Sequence, residues 1–251
     1  MPNPRDKERV GRERDFHNAL YGSDGTRSAQ GKYYWAINDG EAEFKRICQD
    51  LARGKDVLEY GCGDTRNFLT MGPIAKSLHA IDISEEAIER LKSENPHENV
   101  ALHVMDAMNM TFADNSFDLV FGSGIVHHLD TEASAKEVAR VLRPGGRAVF
   151  LEPLGHNPLI NIYRRLTPQA RTSDEHPLVP KDFVTISTYL ELVDIRHYGL
   201  TTLAVVPLRK RKAGEALWGL ARRIDKALFA LPGVKQLAWY VLVVGAKQPE
   251  A

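Results

Sequence analysis

From Asp56 onward, short apolar runs alternate with longer stretches in which charged residues recur at helical spacing. The runs are DVLEYG, SLHAIDI, NVALHVMD, FDLVFG and RAVFLEP, each of strand length. Such alternation predicts successive βαβ units and an α/β class built on a doubly wound, mostly parallel sheet. The 237–245 run is apolar, rich in β-branched residues and far too short for a membrane helix, so it reads as another buried strand.

Helix boundaries are legible between these runs. Ser84 followed by Glu85, Glu86 and Ala87 predicts a helix start, because the serine oxygen can accept an orphan amide proton and acidic residues favour the positive helix end. That helix is expected to reach about Glu94. The RPGG sequence at 143–146 closes a helix over 133–142 and turns the chain into a strand at 147–152.

Two segments fall outside the alternation. Residues 1–53 read as helices joined by the polar stretch YGSDGTRSAQGKYYW, a helical N-terminal cap on a domain spanning 54–251. Residues 153–190 form a proline-punctuated insertion on the substrate side. Both can cover the carboxyl ends of the strands, where open α/β sheets bind ligands.

Composition narrows the ligand. Lys plus Arg and Asp plus Glu each total 33, which leaves no electrostatic footprint for nucleic acid and favours a small molecule. Cys48 and Cys62 have no metal-ligand spacing and suggest no disulfide framework, so a reducing cytoplasm and no metal are expected. The first twenty residues carry charge without an apolar run, so no secretory signal is expected.

The strongest local signal is DVLEYGCGDT over 56–65, an apolar strand followed by glycines at alternate positions and then a helix. Gly61 and Gly63 let the backbone turn sharply and approach a ligand, and the following amides favour a polar or anionic group. Asp82 ends the second strand, where a carboxylate can accept from ribose hydroxyls, and Asp106 ends the third, where one can accept from the exocyclic amine of a purine.

With VLEYGCG, AIDIS, Asp106-Ala107, FDLVFG, VHHL and RVLRPGG in this order, the chain resembles class I S-adenosylmethionine-dependent methyltransferases over most of its length. The resemblance implies a Rossmann-like, seven-stranded sheet with a reversed last strand, the later strands being 193–198 and 239–246. It implies S-adenosylmethionine as cofactor. Glu59, Gly61 and Gly63 would then shape the methionine pocket, Asp82 would hold the ribose and Asp106 with Ala107 would face adenine, with Tyr34, Ile83 and Gly122 completing the set. Thr65 departs from the pattern, standing where many members have a third glycine.

Methyl transfer from a sulfonium needs alignment and a dry site, with a base only where the acceptor must lose a proton. Candidate groups are Tyr33, Tyr34, His127, His128, Glu152, His156, Tyr163 and His176. The EPLGHNP stretch from Glu152 is similar to a subgroup of microbial natural-product C-methyltransferases acting on indole or prenyl chains. For carbon chemistry His156 is the first choice of base, with Glu152 and His127 beside it and Tyr33 or Tyr34 stabilising a cation. Alternatively, Glu152 and His156 hold the loop's shape through backbone bonds. Arg164, Arg165 and Arg171 either bind a diphosphate or pair with Asp174 and Glu175.

Residues 207–235 hold eight Lys or Arg against two acidic residues, with Leu217, Leu220, Ile224 and Leu228 at helical spacing beside Trp218. This stripe packs on its own sheet, meets a second subunit in a homo-oligomer, or rests peripherally on a membrane. Three function classes follow. The first is a small-molecule methyltransferase, with C-methylation of a prenyl or indole-type precursor in natural product biosynthesis ahead of O- or N-methylation of a metabolite or quinone. A nicotinamide oxidoreductase would need the full G-x-G-x-x-G spacing, which the first loop lacks, and would leave Asp106 without a role. A non-catalytic S-adenosylmethionine-binding protein would bind the cofactor without transferring its methyl group.

Overall fold

In the computed structural model, residues 4–22, 28–168, 172 and 174–249 are described. The strands are β1 (Asp56–Tyr60), β2 (Ser77–Asp82), β3 (Val100–Val104), β4 (Phe117–Ser123), β5 (Leu142–Pro153), β6 (Glu191–Tyr198) and β7 (Tyr240–Ala246). They form one seven-stranded sheet in the order β3-β2-β1-β4-β5-β7-β6. β1 to β5 pair in parallel, and β7 lies antiparallel between β5 and β6, which is the reversed last strand the sequence implied. The chain winds outward from β1 to β3 and crosses back to β4, so the strand order reverses beside β1 and opens a crevice at its carboxyl end.

Period-two alternation divides the core between the sheet's two faces. Val57, Leu119 and Phe121 pack with Phe44, Cys48 and Ala52 of helix α3 (Asn38–Ala52). Leu58, Tyr60 and Val120 pack on the other face with Val138 and Val141 of helix α6 (Thr131–Val141). Truncating a fully buried side chain such as Leu58 to alanine would cost about 2–5 kcal/mol. α3 is therefore a core helix, and within 1–53 it is α1 (Pro4–Gly22) and α2 (Ser28–Tyr34) that precede this packed layer.

Local capping sets the helices between the strands. Ser84 Oγ accepts from Ala87 N at 3.2 Å and starts α5 (Glu85–Glu94). Asp130 Oδ1 accepts from Ala133 N at 2.9 Å and starts α6. The RPGG turn lies inside β5 and does not precede it. Phe117 pairs with Leu142 and Leu119 with Arg147, so the intervening residues loop out at Gly145, whose φ is 80°.

Between β5 and β6 lie α7 (Pro158–Leu166) and α8 (Pro180–Ser187), and after β6 come α9 (Thr202–Val205) and α10 (Gly214–Leu228). α10 turns Ala221 and Asp225 inward, where Asp225 accepts from Leu200 N at 3.0 Å and Thr201 N at 2.6 Å. Its apolar stripe does not pack on the sheet: Leu217, Leu220 and Ile224 are 38%, 55% and 43% exposed. Anchoring through Asp225 rotates the stripe away from the core. Among the described residues, no helix is long and apolar enough to cross a membrane.

Candidate active site

The crevice beside β1 is a cavity of roughly 470 Å³, within the size range of small-molecule sites. Its floor is the loop after β1, where Gly61 and Gly63 adopt φ of 70° and 53°, conformations costly for any residue with a Cβ. Side chains of neighbouring segments also crowd both positions. A Cβ on Gly61 would sit 2.5 Å from Ile125 Cγ1, and one on Gly63 would sit 2.6 Å from the Tyr21 hydroxyl oxygen.

Three strand-end carboxylates surround this loop with different duties. Asp82 lines the cavity and ties the loop to the next helix, accepting from Gly63 N at 2.7 Å and Ser84 N at 2.9 Å. Asp106 also lines the cavity, beside Ile83 and Ala107, and accepts from Met108 N at 2.9 Å. Glu59 lies beneath the loop and off the cavity wall, accepting from Thr65 Oγ1 at 2.8 Å and Asn67 Nδ2 at 2.6 Å. Burial pushes its carboxyl up to about 7, against the pull of those two donors. Thr65, which departs from the glycine pattern, thus supplies a hydroxyl that holds Glu59.

Gly122, expected to touch cofactor, is not part of the wall. A Cβ there would lie 2.5 Å from the Tyr60 carbonyl oxygen, so the glycine serves the close approach of β4 to β1.

The opposite wall begins where β4 ends and the chain makes one tight helical turn, Val126–His128. Glu152, at the end of β5, is fully buried behind that turn and accepts from Ile125 N at 2.9 Å, Val126 N at 3.0 Å and His127 N at 3.4 Å. Its Oε2 lies 2.8 Å from His127 Nδ1. Burial pushes the Glu152 carboxyl up to about 7, while the backbone donors pull it down. An ionised Glu152 can only accept, so His127 Nδ1–H donates to it and the Nε2 lone pair is the basic site of a residue that lines the cavity.

His156, the first-choice base, does not reach the cavity. It is exposed and not part of the cavity wall. Its neighbour Asn157 turns inward, accepting from Ile160 N at 3.0 Å to cap α7 and donating to the Leu237 carbonyl at 2.8 Å, which turns His156 outward. His176 is also off the wall, its backbone N–H donating to the His127 carbonyl at 2.7 Å. Tyr33, Tyr34, Tyr163 and Arg164 do line the cavity, with Tyr33 and Tyr163 ring centroids 5.2 Å apart. Arg165 is exposed and Arg171 lies outside the described residues. Asp174 pairs with Arg12, at 2.9 Å.

Sequence reasoning expected a helical cap over 1–53 but singled out none of the α1 side chains. Arg9, Glu13, His17 and Tyr21 recur every four residues, so they share one face, and all four line the cavity. Arg90 holds the helix there through the Tyr21 carbonyl, and Ser84 Oγ reaches Asn18 Oδ1 at 2.7 Å. The four-residue spacing of charged and aromatic groups was the available signal.

Residues 58–150 match the family described as "Methyltransferase domain". That span runs from β1 into β5, so the similarity to a methyltransferase domain covers the glycine loop and the strand ends around the cavity. S-adenosylmethionine is the cofactor of this class, and the wall fits it: paired glycines at a tight turn, a carboxylate at each of the two following strand ends, and apolar Ile83 and Ala107 between them. Methyltransferase GfsG of Streptomyces halstedii is 27% identical over 164 residues, 63% of this chain and 54% of that protein. Demethylmenaquinone methyltransferase of Staphylococcus aureus is 34% identical over 130 residues, 49% of this chain and 53% of that protein. The chain thus spans about half the length of these curated relatives. In fold, the domain is similar to N-methyltransferase NodS of Bradyrhizobium japonicum WM9, solved with S-adenosyl-L-homocysteine, at a TM-score of 0.63 and 14% identity, covering 94% of this chain and 98% of that one.

Proposed function

We propose that the chain is an S-adenosylmethionine-dependent methyltransferase whose acceptor is a small molecule that loses a proton, with carbon of a prenyl or indole-type natural-product precursor as the preferred atom. The observation that carries this reading is the buried pair of His127 and Glu152, 2.8 Å apart at the cavity wall. S-adenosylmethionine supplies an electrophilic methyl group on a sulfonium and departs as a thioether. Gly61, Gly63, Asp82, Ile83, Asp106 and Ala107 hold it, with Tyr34 beside them. The acceptor carbon takes the methyl, and the cation so formed loses its proton to His127 Nε2. Glu152 keeps the imidazole in the tautomer that can receive it. The Tyr33 and Tyr163 faces stabilise positive charge on the acceptor before that proton leaves.

In this reading α1 caps the cofactor and residues 153–190 form the acceptor side. A second reading is a quinone-type acceptor, in line with the Staphylococcus relative's name. An acceptor of either kind is apolar, and the outer surface suits one delivered from a lipid surface. α7 and α10 flank the 33–35 turn, Tyr163 lying 5.2 Å from Tyr33 and Trp218 lying 5.9 Å from Trp35, and each exposes an apolar stripe. The cations of 207–235 complement an anionic bilayer. Mass spectrometry of reactions containing labelled S-adenosylmethionine and a panel of prenyl diphosphates, indoles, quinones and phenols tests the proposal. A labelled, C-methylated product is expected. Tight cofactor binding with no transfer to any acceptor overturns it.

A further inference from the structure

Among the described residues, four buried polar side-chain atoms lack a hydrogen-bond partner: Arg9 Nε, Glu13 Oε2, His17 Nδ1 and His128 Nδ1. All four residues line the cavity under α1; Glu13 Oε2 and His128 Nδ1 face each other there, whereas Arg9 Nε is a donor that only an acceptor group could satisfy. An orphaned buried polar atom costs about 1–3 kcal/mol, so a cluster of them marks a place where a partner belongs.

The partner's chemistry follows from what converges there. Glu13 Oε2 lies 3.2 Å from His128 Nδ1 and 3.5 Å from His17 Nε2, yet neither Glu13 Oε2 nor His128 Nδ1 makes a hydrogen bond of acceptable geometry. Close approach of acceptor atoms whose lone pairs do not point at each other's hydrogens is the arrangement of ligands around a shared cation. The distances agree: metal bonds of about 2.0–2.2 Å to imidazole nitrogen and carboxylate oxygen put neighbouring ligand atoms roughly 3–3.5 Å apart. Glu13 and His17 are one helical turn apart on α1, and His128 approaches from the turn after β4. Burial of Glu13 and His128 to 6% and 5% exposure protects the set from bulk water.

We propose that Glu13, His17 and His128 bind one divalent first-row transition ion in the corner of the cavity beneath α1. Two imidazoles and one carboxylate suit ions of the Zn²⁺, Mn²⁺ or Fe²⁺ type better than Mg²⁺ or Ca²⁺, which favour all-oxygen sets. A three-residue set leaves coordination positions open, and all three residues line the cavity. Glu175 lies close by, its Oε1 4.0 Å from His127 Nε2, and His127, His128 and Glu175 form a second overlapping group of ligand type. One carboxylate leaves a divalent ion with net positive charge, so the open positions favour an anionic oxygen on an otherwise apolar acceptor, such as the phenolate of the quinone-type reading.

The metal readout itself needs no acceptor and no cofactor. The full chain is stripped with chelator and titrated with Co²⁺, with visible d–d absorption as the readout, followed by displacement with Zn²⁺. Saturation at one Co²⁺ per chain is expected, together with two paramagnetically shifted imidazole N–H resonances. Glu13→Gln, His17→Gln and His128→Gln should each weaken Co²⁺ binding at least about tenfold, whereas His156→Ala should bind as the parent does. Retained S-adenosylmethionine binding by calorimetry shows that each variant is folded and separates failure of this site from failure of the methyltransferase reading. Absence of d–d absorption or of shifted imidazole signals in the parent overturns the proposal, as does unweakened Co²⁺ binding in all three variants.

Discussion

Glu152→Gln separates the proposed chemistry from the fold. Glutamine has the same shape, and its single carbonyl oxygen can still accept from Ile125 N and Val126 N, now 2.9 and 3.0 Å from Glu152 Oε1, so only the long 3.4 Å bond from His127 N to Oε2 is lost. Its amide then occupies the place of Oε2, 2.8 Å from His127 Nδ1, and presents a donor to that nitrogen. Nδ1 must then accept, the ring proton moves to Nε2, and the nitrogen facing the acceptor can no longer take a proton. A positioned general base contributes about 10²–10⁴-fold, so kcat should fall by that factor, equivalent to about 2.7–5.4 kcal/mol of barrier. The assay is steady-state transfer of labelled methyl to the acceptor found in the panel, with cofactor affinity measured by calorimetry. Affinity should stay within about twofold, because Glu152 is not part of the cavity wall. Burial pushes the Glu152 carboxyl up to about 7, so parent activity should also fall as pH drops through that value. Variant activity within threefold of the parent, with the same pH profile, would refute the base assignment.

Other outcomes follow from the same geometry. Asp82→Ala removes the acceptor that clamps Gly63 N and Ser84 N and should weaken S-adenosylmethionine binding more than tenfold in calorimetry. Glu59 is raised to about 7 when folded, against about 4.3 for a free glutamate, so the folded state holds the extra proton and stability should decline as pH rises from about 4.5 through 7. That decline is at most about 4 kcal/mol, and denaturant midpoints of Glu59→Gln across this range should be flatter than the parent's. Liposome flotation should retain the parent on anionic vesicles and release it on neutral ones. Leu220→Glu with Ile224→Glu should abolish retention without changing the thermal midpoint by more than a few degrees, because both residues are exposed.

The donor half of the site was largely legible in the chain. Apolar runs identified six of the strands, because strand burial is written in short local runs, whereas β6 came only with the family resemblance. Strand ends followed by glycine or a capping residue placed Asp82 and Asp106, because ligands meet such a sheet at its carboxyl edge. The acceptor half was not legible in the same way. Glu152 and His156 are four residues apart, and only the inward turn of Asn157 decides that one is buried behind His127 and the other faces solvent. Glu13 and His17 carried a helical spacing, but their partner His128 arrives from more than a hundred positions away. Gly122 looked like a ligand contact and is a packing contact between neighbouring strands. The sequence by itself determined strand identity, helix caps and the cofactor edge, since these depend on neighbours a few residues away. Tertiary structure alone decided which side chains share the acceptor corner and which apolar stripe stays uncovered, since both depend on how distant segments are rotated when they pack.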